Sequence, residues 1–301
     1  MIVKFLLALS LLLLFSACSG KSKSRPNPKY PREVNTAAIS PENSHRKHEA
    51  YILTVSDYEG DKNDLYFKGI EKDRDSIDAL LRDWGFSVVV ETLPMSFETR
   101  MHTYAQTLKE EDVFVFYYSG HGTRIPDTSG DEADNFDELI VLSDADTNRF
   151  ILDDRINQLL NAIKARKLII FDSCNSGTAY QTTYPKSGAS GYRAIEITKP
   201  KYMLVESKNL ADIASSKSQT PHTDTHGTFV YLGACLDEEE SLASANGSLF
   251  TRALLQNISK TKPIKTLHQE TNTSLKNQFH PTLSSSDERL KTLILKDYLK
   301  L

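Results

Sequence analysis

Two apolar runs, each ending in a short reactive motif, constrain this 301-residue chain more than any other feature. Val113-Phe114-Val115-Phe116-Tyr117-Tyr118 leads into Ser119-Gly120-His121-Gly122. Lys167-Leu168-Ile169-Ile170-Phe171 leads into Asp172-Ser173-Cys174-Asn175-Ser176-Gly177. Each run reads as a buried strand, and a parallel α/β sheet gathers its chemistry just beyond the carboxyl ends of its strands. One strand therefore delivers an imidazole to that edge and the other a thiol. A Cys–His pair on strand ends is the minimum equipment for thiol nucleophilic catalysis.

The remaining pattern alternates. Residues 51–56, 86–91, 139–142, 202–205 and 228–234 read as extended. Helical spacing appears at 73–84 (Ile77, Leu80, Leu81, Trp84), 97–108, 153–165 (Ile156, Leu159, Leu160, Ile163), 250–258 and 264–277. Residues 291–295 fit a closing strand or a short helix equally. Strands separated by helices imply an α/β domain: a mostly parallel sheet with helices on both faces. Residues 175–200 hold Gly, Ser, Thr, Tyr and Pro without periodicity, a long loop directly after the cysteine. Loops of that length are usually functional or disordered.

The first 17 residues stand apart. Lys4 precedes a Leu-rich stretch from Phe5 to Phe15, then Ser16 and Ala17. The apolar stretch is short for a membrane span and fits a cleaved export signal. With Cys18 next, the segment resembles the bacterial lipoprotein signal, in which that Cys is lipidated. The expected organisation is a signal at 1–17, a lipidated Cys18 with a polar tether at 18–48, and one domain at 49–301. This implies export to a bacterial cell envelope on a lipid anchor, and Ser19 after the Cys favours the outer membrane. The full chain carries 36 basic and 40 acidic residues. Such a balance offers no basic excess for nucleic acid. Cys235, after the run 228–234, reads as a small core residue.

His121 precedes Cys174 by 53 residues, the order and approximate separation found in caspases. With Gly130-Asp131-Glu132 through Asp137-Glu138-Leu139-Ile140, Ile151-Leu152-Asp153-Asp154, Ala234-Cys235-Leu236-Asp237-Glu238 and Asn246-Gly247-Ser248-Leu249-Phe250-Thr251, the chain resembles the caspase-like cysteine peptidases, most closely the metacaspase branch. The resemblance runs from about Tyr51 to Leu295. Asn175 departs from it, because metacaspases usually carry His there, and the caspase tetrapeptide around the nucleophile is absent.

The resemblance implies Cys174 as nucleophile and His121 as base, with an oxyanion hole from the backbone N–H groups of Cys174 and Gly122. It also implies that Asp172, Ser119 and Asp73 line a pocket for Arg or Lys before the cleaved bond, where carboxylates make charge-assisted hydrogen bonds to a cationic side chain. Asp75 competes with Asp73 for that place, and Asp73 alternatively caps a helix start. The acidic set Asp131, Glu132, Asp134, Asp137, Glu138, Asp144, Asp146, Asp153 and Asp154 offers hard oxygen ligands. Asp137, Asp153 and Asp154 best resemble the family's calcium ligands, with calcium as an activator. Equally, Asp153 and Asp154 simply open a helix, where acids are favoured.

The leading expectation is a cysteine endopeptidase cleaving protein or peptide substrates after Arg or Lys. A caspase-like binding or scaffold protein with little activity is the alternative. A thiol-dependent transferase or ligase on the same scaffold is a third reading. The oligomeric state is not legible in the sequence.

Overall fold

The run at 113–119 lies at the centre of the sheet, and its side chains alternate between two cores. Val113, Val115 and Tyr117 enter one, while Phe114, Phe116 and Tyr118 enter the other. The fold is seen in a computed structural model, which describes residues 46–59, 68–127, 135–144, 147–174, 199–203, 205, 213 and 227–301. These belong to the unit His45–Leu301. The expected signal, Cys18 and most of the tether lie outside the described residues.

Along the chain run β1 (His48–Thr54), α1 (Lys68–Asp83), β2 (Ser87–Glu91), α2 (Phe97–Thr107), β3 (Val113–Ser119), β4 (Gly122–Pro126), β5 (Phe136–Ser143), β6 (Asn148–Leu152) and α3 (Asp153–Ala162). There follow β7 (Arg166–Asp172), β8 (Lys199–Pro200), β9 (Phe229–Gly233), β10 (Leu242–Ser244), β11 (Gly247–Ser248), α4 (Leu249–Asn257), α5 (Ile264–Leu275), β12 (Thr282–Ser285) and α6 (Leu295–Tyr298). The main sheet has the order β12-β9-β7-β3-β1-β2. Its members are parallel except β12, which pairs antiparallel with β9 on one edge. Two antiparallel three-stranded sheets, β4-β5-β6 and β11-β10-β8, sit apart from it.

Both faces of the main sheet are covered, as a parallel sheet requires. On one face Ile77 and Leu81 of α1, Phe250 and Leu254 of α4, and Ile264 and Leu267 of α5 pack against Ile52, Val115 and Ile170. On the other, Met101 and Tyr104 of α2 and Ile156 and Leu160 of α3 meet Phe116, Ile169 and Tyr231. Aromatic rings are concentrated on that second face: Phe116 meets Phe171 edge-on at 5.5 Å, and Tyr51 lies 5.6 Å from Phe116.

Several expected boundaries move. β1 begins at His48, and Lys47 N–H already donates to Asp112 Oδ1 at 2.7 Å, so the expected tether ends inside the domain. The helix expected to Ala165 stops at Ala162, because Ile163 turns extended. The one expected to Asn277 stops at Leu275, where Lys276 and Asn277 take positive φ. Among the described residues of the strand expected at 202–205, Tyr202 makes an isolated bridge to Gly122, and β8 lies just before it. The chain closes with β12, a short 3-10 turn and α6 in place of one element at 291–295. No helix among the described residues is long and apolar enough to cross a membrane.

Candidate active site

β3 and β7 are parallel neighbours with Ser119 opposite Asp172. Two residues further along each strand stand His121 and Cys174, so the register alone brings imidazole and thiol to one edge. Gly120 N–H donates to the Asp172 carbonyl at 3.3 Å and carries the pairing past the strand ends. Gly122 packs on the cysteine itself: a Cβ there would lie 2.0 Å from the Cys174 carbonyl oxygen. Both residues are buried.

His121 is held from several sides. Its N–H donates to the Tyr58 hydroxyl at 2.6 Å, and the two rings pack with centroids 4.3 Å apart. Its carbonyl accepts from Tyr118 Oη at 2.7 Å and from Val141 N–H at 3.0 Å. The glycine before it leaves room for these hydroxyls, since a Cβ at Gly120 would come within 2.6 Å of both Tyr58 and Tyr118 oxygens. Cys174 Sγ lies 3.5 Å from the Ser241 carbonyl. Burial pushes its thiol well up from the ordinary cysteine range, with Cys235 and Glu240 adding to the effect and Ser241 and Lys201 opposing it.

Beside this pair lies an acidic pocket with a cation in it. The Lys201 ammonium is fully buried and has three acceptors at 2.8 Å: Ser119 Oγ, the Asp172 carbonyl and Asp172 Oδ1. An ammonium has three N–H donors, so all are satisfied. The Asp172 carboxylate is itself anchored by Ser241 Oγ at 2.8 Å and by Thr251 Oγ1 at 2.6 Å. Asp73 is buried nearby and accepts Ser248 N–H at 2.7 Å. Burial raises its carboxyl to about 7; Lys201 opposes this, Asp172 adds to it, and the Ser248 hydrogen bond opposes it.

Of the expected pocket residues, Asp172, Ser119 and Asp73 are thus brought together. Asp73 lies inside α1, which begins five residues earlier, and it does not cap the helix start. Asp75 is exposed and pairs with Arg74 at 2.8 Å. The expected oxyanion donor Gly122 N–H is already engaged, donating to the Lys201 carbonyl at 2.8 Å.

The expected calcium ligands fare differently. Asp137 and Asp153 are buried and Asp154 is half-buried. Among the described residues no group of three or more His, Cys, Asp or Glu side chains is arranged to hold a metal ion, so Asp137, Asp153 and Asp154 do not form one. Asp131, Glu132, Asp134, Asp146 and Asn175 lie outside the described residues.

Sequence reasoning missed Lys201, Ser241, Thr251 and Tyr58. Ser248 and Thr251 stood within the stretch 246–251 without a role. Nothing local marks Lys201, which follows a proline in a polar region.

The main sheet thus sets a histidine and a cysteine at its carboxyl edge, next to a carboxylate pocket. Residues 47–292 match the caspase domain family, and the chain belongs to this family of cysteine peptidases. It is 38% identical over 100 residues to Metacaspase-1A of Aspergillus terreus, covering 30% of this chain and 25% of that protein. It is 41% identical over 87 residues to Metacaspase-1 of Cryptococcus neoformans, covering 28% and 19%. The chain thus spans about a fifth to a quarter of the length of the curated relatives it matches. A crystal structure of a protein from Geobacter sulfurreducens shares the fold, with a TM-score of 0.63 at 21% identity over 82% of this chain and 97% of that one.

Proposed function

We propose that this protein is a cysteine endopeptidase that cleaves after Lys or Arg, with Cys174 as nucleophile and His121 as general base and acid. The observation that carries the reading is the Lys201 ammonium, already seated in the pocket of Ser119 and Asp172. A substrate lysine would take the same three acceptors, and an arginine would offer its guanidinium to the same carboxylate. An aspartate there would meet like charge from Asp172. The thiolate would attack the carbonyl carbon of the basic residue. His121 would take the thiol proton and pass it to the departing amine, and water would then hydrolyse the thioester. Gly122 N–H is aimed at a carbonyl oxygen in this site and would stabilise the charge that develops there.

Calcium has no three-residue cluster among the described residues to hold it, so no step is routed through it. It enters as an assay variable. The test is a panel of fluorogenic peptides ending in Arg, Lys, Asp or Asn, with and without calcium. The expected result is hydrolysis of the Arg and Lys peptides, abolished in Cys174→Ala. Asp172→Ala should lower turnover of the basic peptides by about 30-fold, since a hydrogen bond to a charged group contributes about 2 kcal/mol. Faster cleavage of Asp peptides would show the pocket misread. No hydrolysis under any condition would favour the binding or scaffold alternative.

A further inference from the structure

Behind the acidic pocket the hydrogens on three buried hydroxyls have fixed directions. Tyr117, Ser119, Asp172 and Thr251 are all fully buried. Thr251 Oγ1 donates to Asp172 Oδ2 at 2.6 Å. A hydroxyl has one hydrogen and a carboxylate only accepts, so the Thr251 hydrogen is committed to Asp172. Tyr117 Oη lies 2.7 Å from the same Thr251 oxygen, and the hydrogen between them is therefore the phenol's. Burial keeps that hydrogen in place. It pushes the Tyr117 phenol well up from its ordinary range; Asp73 and Asp172 add to this, and hydrogen bonding with Thr251 and Ser119 opposes it. Ser119 stands two residues further along β3, on the same face as Tyr117. Its oxygen lies 2.8 Å from the Lys201 ammonium. An ammonium accepts no hydrogen bond, so the Ser119 hydrogen turns away from it. The Tyr117 oxygen, whose own hydrogen is committed to Thr251, is the acceptor on that side.

The hydroxyls thus form a one-way relay, from Ser119 to Tyr117 to Thr251 to Asp172, with both ends at the pocket. Every atom that meets the ammonium there, Ser119 Oγ, the Asp172 carbonyl and Asp172 Oδ1, presents a lone pair. We propose that Tyr117 and Thr251 set the specificity of this site, by holding the pocket in an all-acceptor state that matches a cation and rejects a neutral amide. The inference rests on the reading that Cys174 and His121 cleave after basic residues. It adds two positioning residues, set behind those the substrate would meet and acting through Ser119 and Asp172. Lysine and arginine side chains carry donors and no acceptor, so all their hydrogens find partners in such a pocket. A glutamine side chain brings a carbonyl oxygen as well, which would face acceptors and no donor. Without the Tyr117 hydroxyl, the Ser119 hydrogen is free to swing into the pocket and supply that donor. Without the Thr251 hydroxyl, Tyr117 turns its hydrogen onto Ser119 and the relay reverses, again leaving the Ser119 hydrogen to point outward. Asp172 Oδ2 then also loses the donor that anchors it.

The test compares two fluorogenic peptides, identical except that one ends in Lys and the other in Gln, on the full-length chain with and without calcium. The readout is the ratio of kcat/KM for the Lys peptide to that for the Gln peptide within one preparation. That ratio does not depend on what fraction of the protein is folded or active. The parent should favour Lys strongly. Tyr117→Phe and Thr251→Val should each lower the ratio by about tenfold or more, the scale on which an unmet buried polar group acts. Thr251→Ser keeps the hydroxyl and should return the ratio to that of the parent. If Tyr117→Phe does not fold, the two Thr251 variants decide. Slower cleavage of both peptides with an unchanged ratio in Tyr117→Phe and Thr251→Val would mean a structural role only; it would overturn the proposal and leave the peptidase reading standing. A parent that hydrolyses neither peptide, or that cleaves the Gln peptide as fast as the Lys peptide, would overturn both.

Discussion

Gly122 has no room for a side chain, because its α-carbon sits against the Cys174 carbonyl. The obstacle is backbone, which cannot swing aside as a flexible side chain would. Gly122→Ala should cost about 2 kcal/mol as local overpacking and displace the N–H that now meets the Lys201 carbonyl. The expected outcome is a clear fall in kcat with a lower melting temperature; unchanged kcat would show that this N–H plays no part. Asp73 offers a second test. Its carboxyl is held at about 7 by burial, with Asp172 adding and Lys201 opposing, so between about pH 4 and 7 the folded chain keeps a proton that the unfolded chain has lost. Its contribution to stability is full below the unfolded value near 4 and is lost as pH rises through about 7. In a Cys174→Ala background, the melting temperature of the parent should fall relative to Asp73→Asn as pH rises across that window. Parallel curves would contradict the burial argument.

At the scale of elements, β10 is the edge against which the 199–201 segment pairs. On the proposed function, a substrate strand would take this edge in place of that segment, with the Ser241 carbonyl accepting the N–H of its basic residue. Methylating that amide in a Lys-terminated peptide removes one backbone hydrogen bond at a buried position. Such a loss costs about 1–3 kcal/mol. The methylated peptide should have kcat/KM at least about tenfold lower than its parent; equal values would mean that substrate does not pair here. The register of β3 with β7 matters in the same way. Ser119 opposite Asp172 places His121 and Cys174 level with each other, and a slip of one residue would move every side chain of one strand to the other face.

At the scale of the whole molecule, the domain from His48 onward is built as a sheet covered on both faces, and the polar stretch before it carries no comparable apolar pattern. The signal-like start and Cys18 lead to the prediction of a lipid-anchored protein whose anchor is separate from its chemistry. Mass spectrometry of the protein expressed with its leader in a bacterial host should find acyl chains on Cys18 as the first residue. Cys18→Ala should then release protein from membranes with its peptide hydrolysis unchanged. An unmodified mature end elsewhere would remove the anchor from the account and leave the site untouched.

How much was legible in the sequence follows from where the information lies. Val113–Tyr118 and Lys167–Phe171 are continuous apolar runs, and continuous runs declare buried strands by local composition alone. The residues just past them, His121 and Cys174, were therefore readable as neighbours at a sheet edge, and Asp172 and Ser119 came with them. Short strands such as β8, β10 and β11 were not readable, because two or three residues carry no period. The choice between Asp73 and Asp75 turned on helix phase: one faces the pocket with Ser248 above it, the other faces solvent beside Arg74. Lys201 was the least legible of all. In sequence it is one lysine among many, and lysines are ordinarily solvated. Its burial depends on three acceptors supplied by β3 and β7 and on backbone partners from β4 and the segment before β10. Local composition determined the sheet and the two groups at its edge; only the tertiary structure, by bringing distant polar atoms within hydrogen-bonding reach of a single ammonium, decided what fills the site.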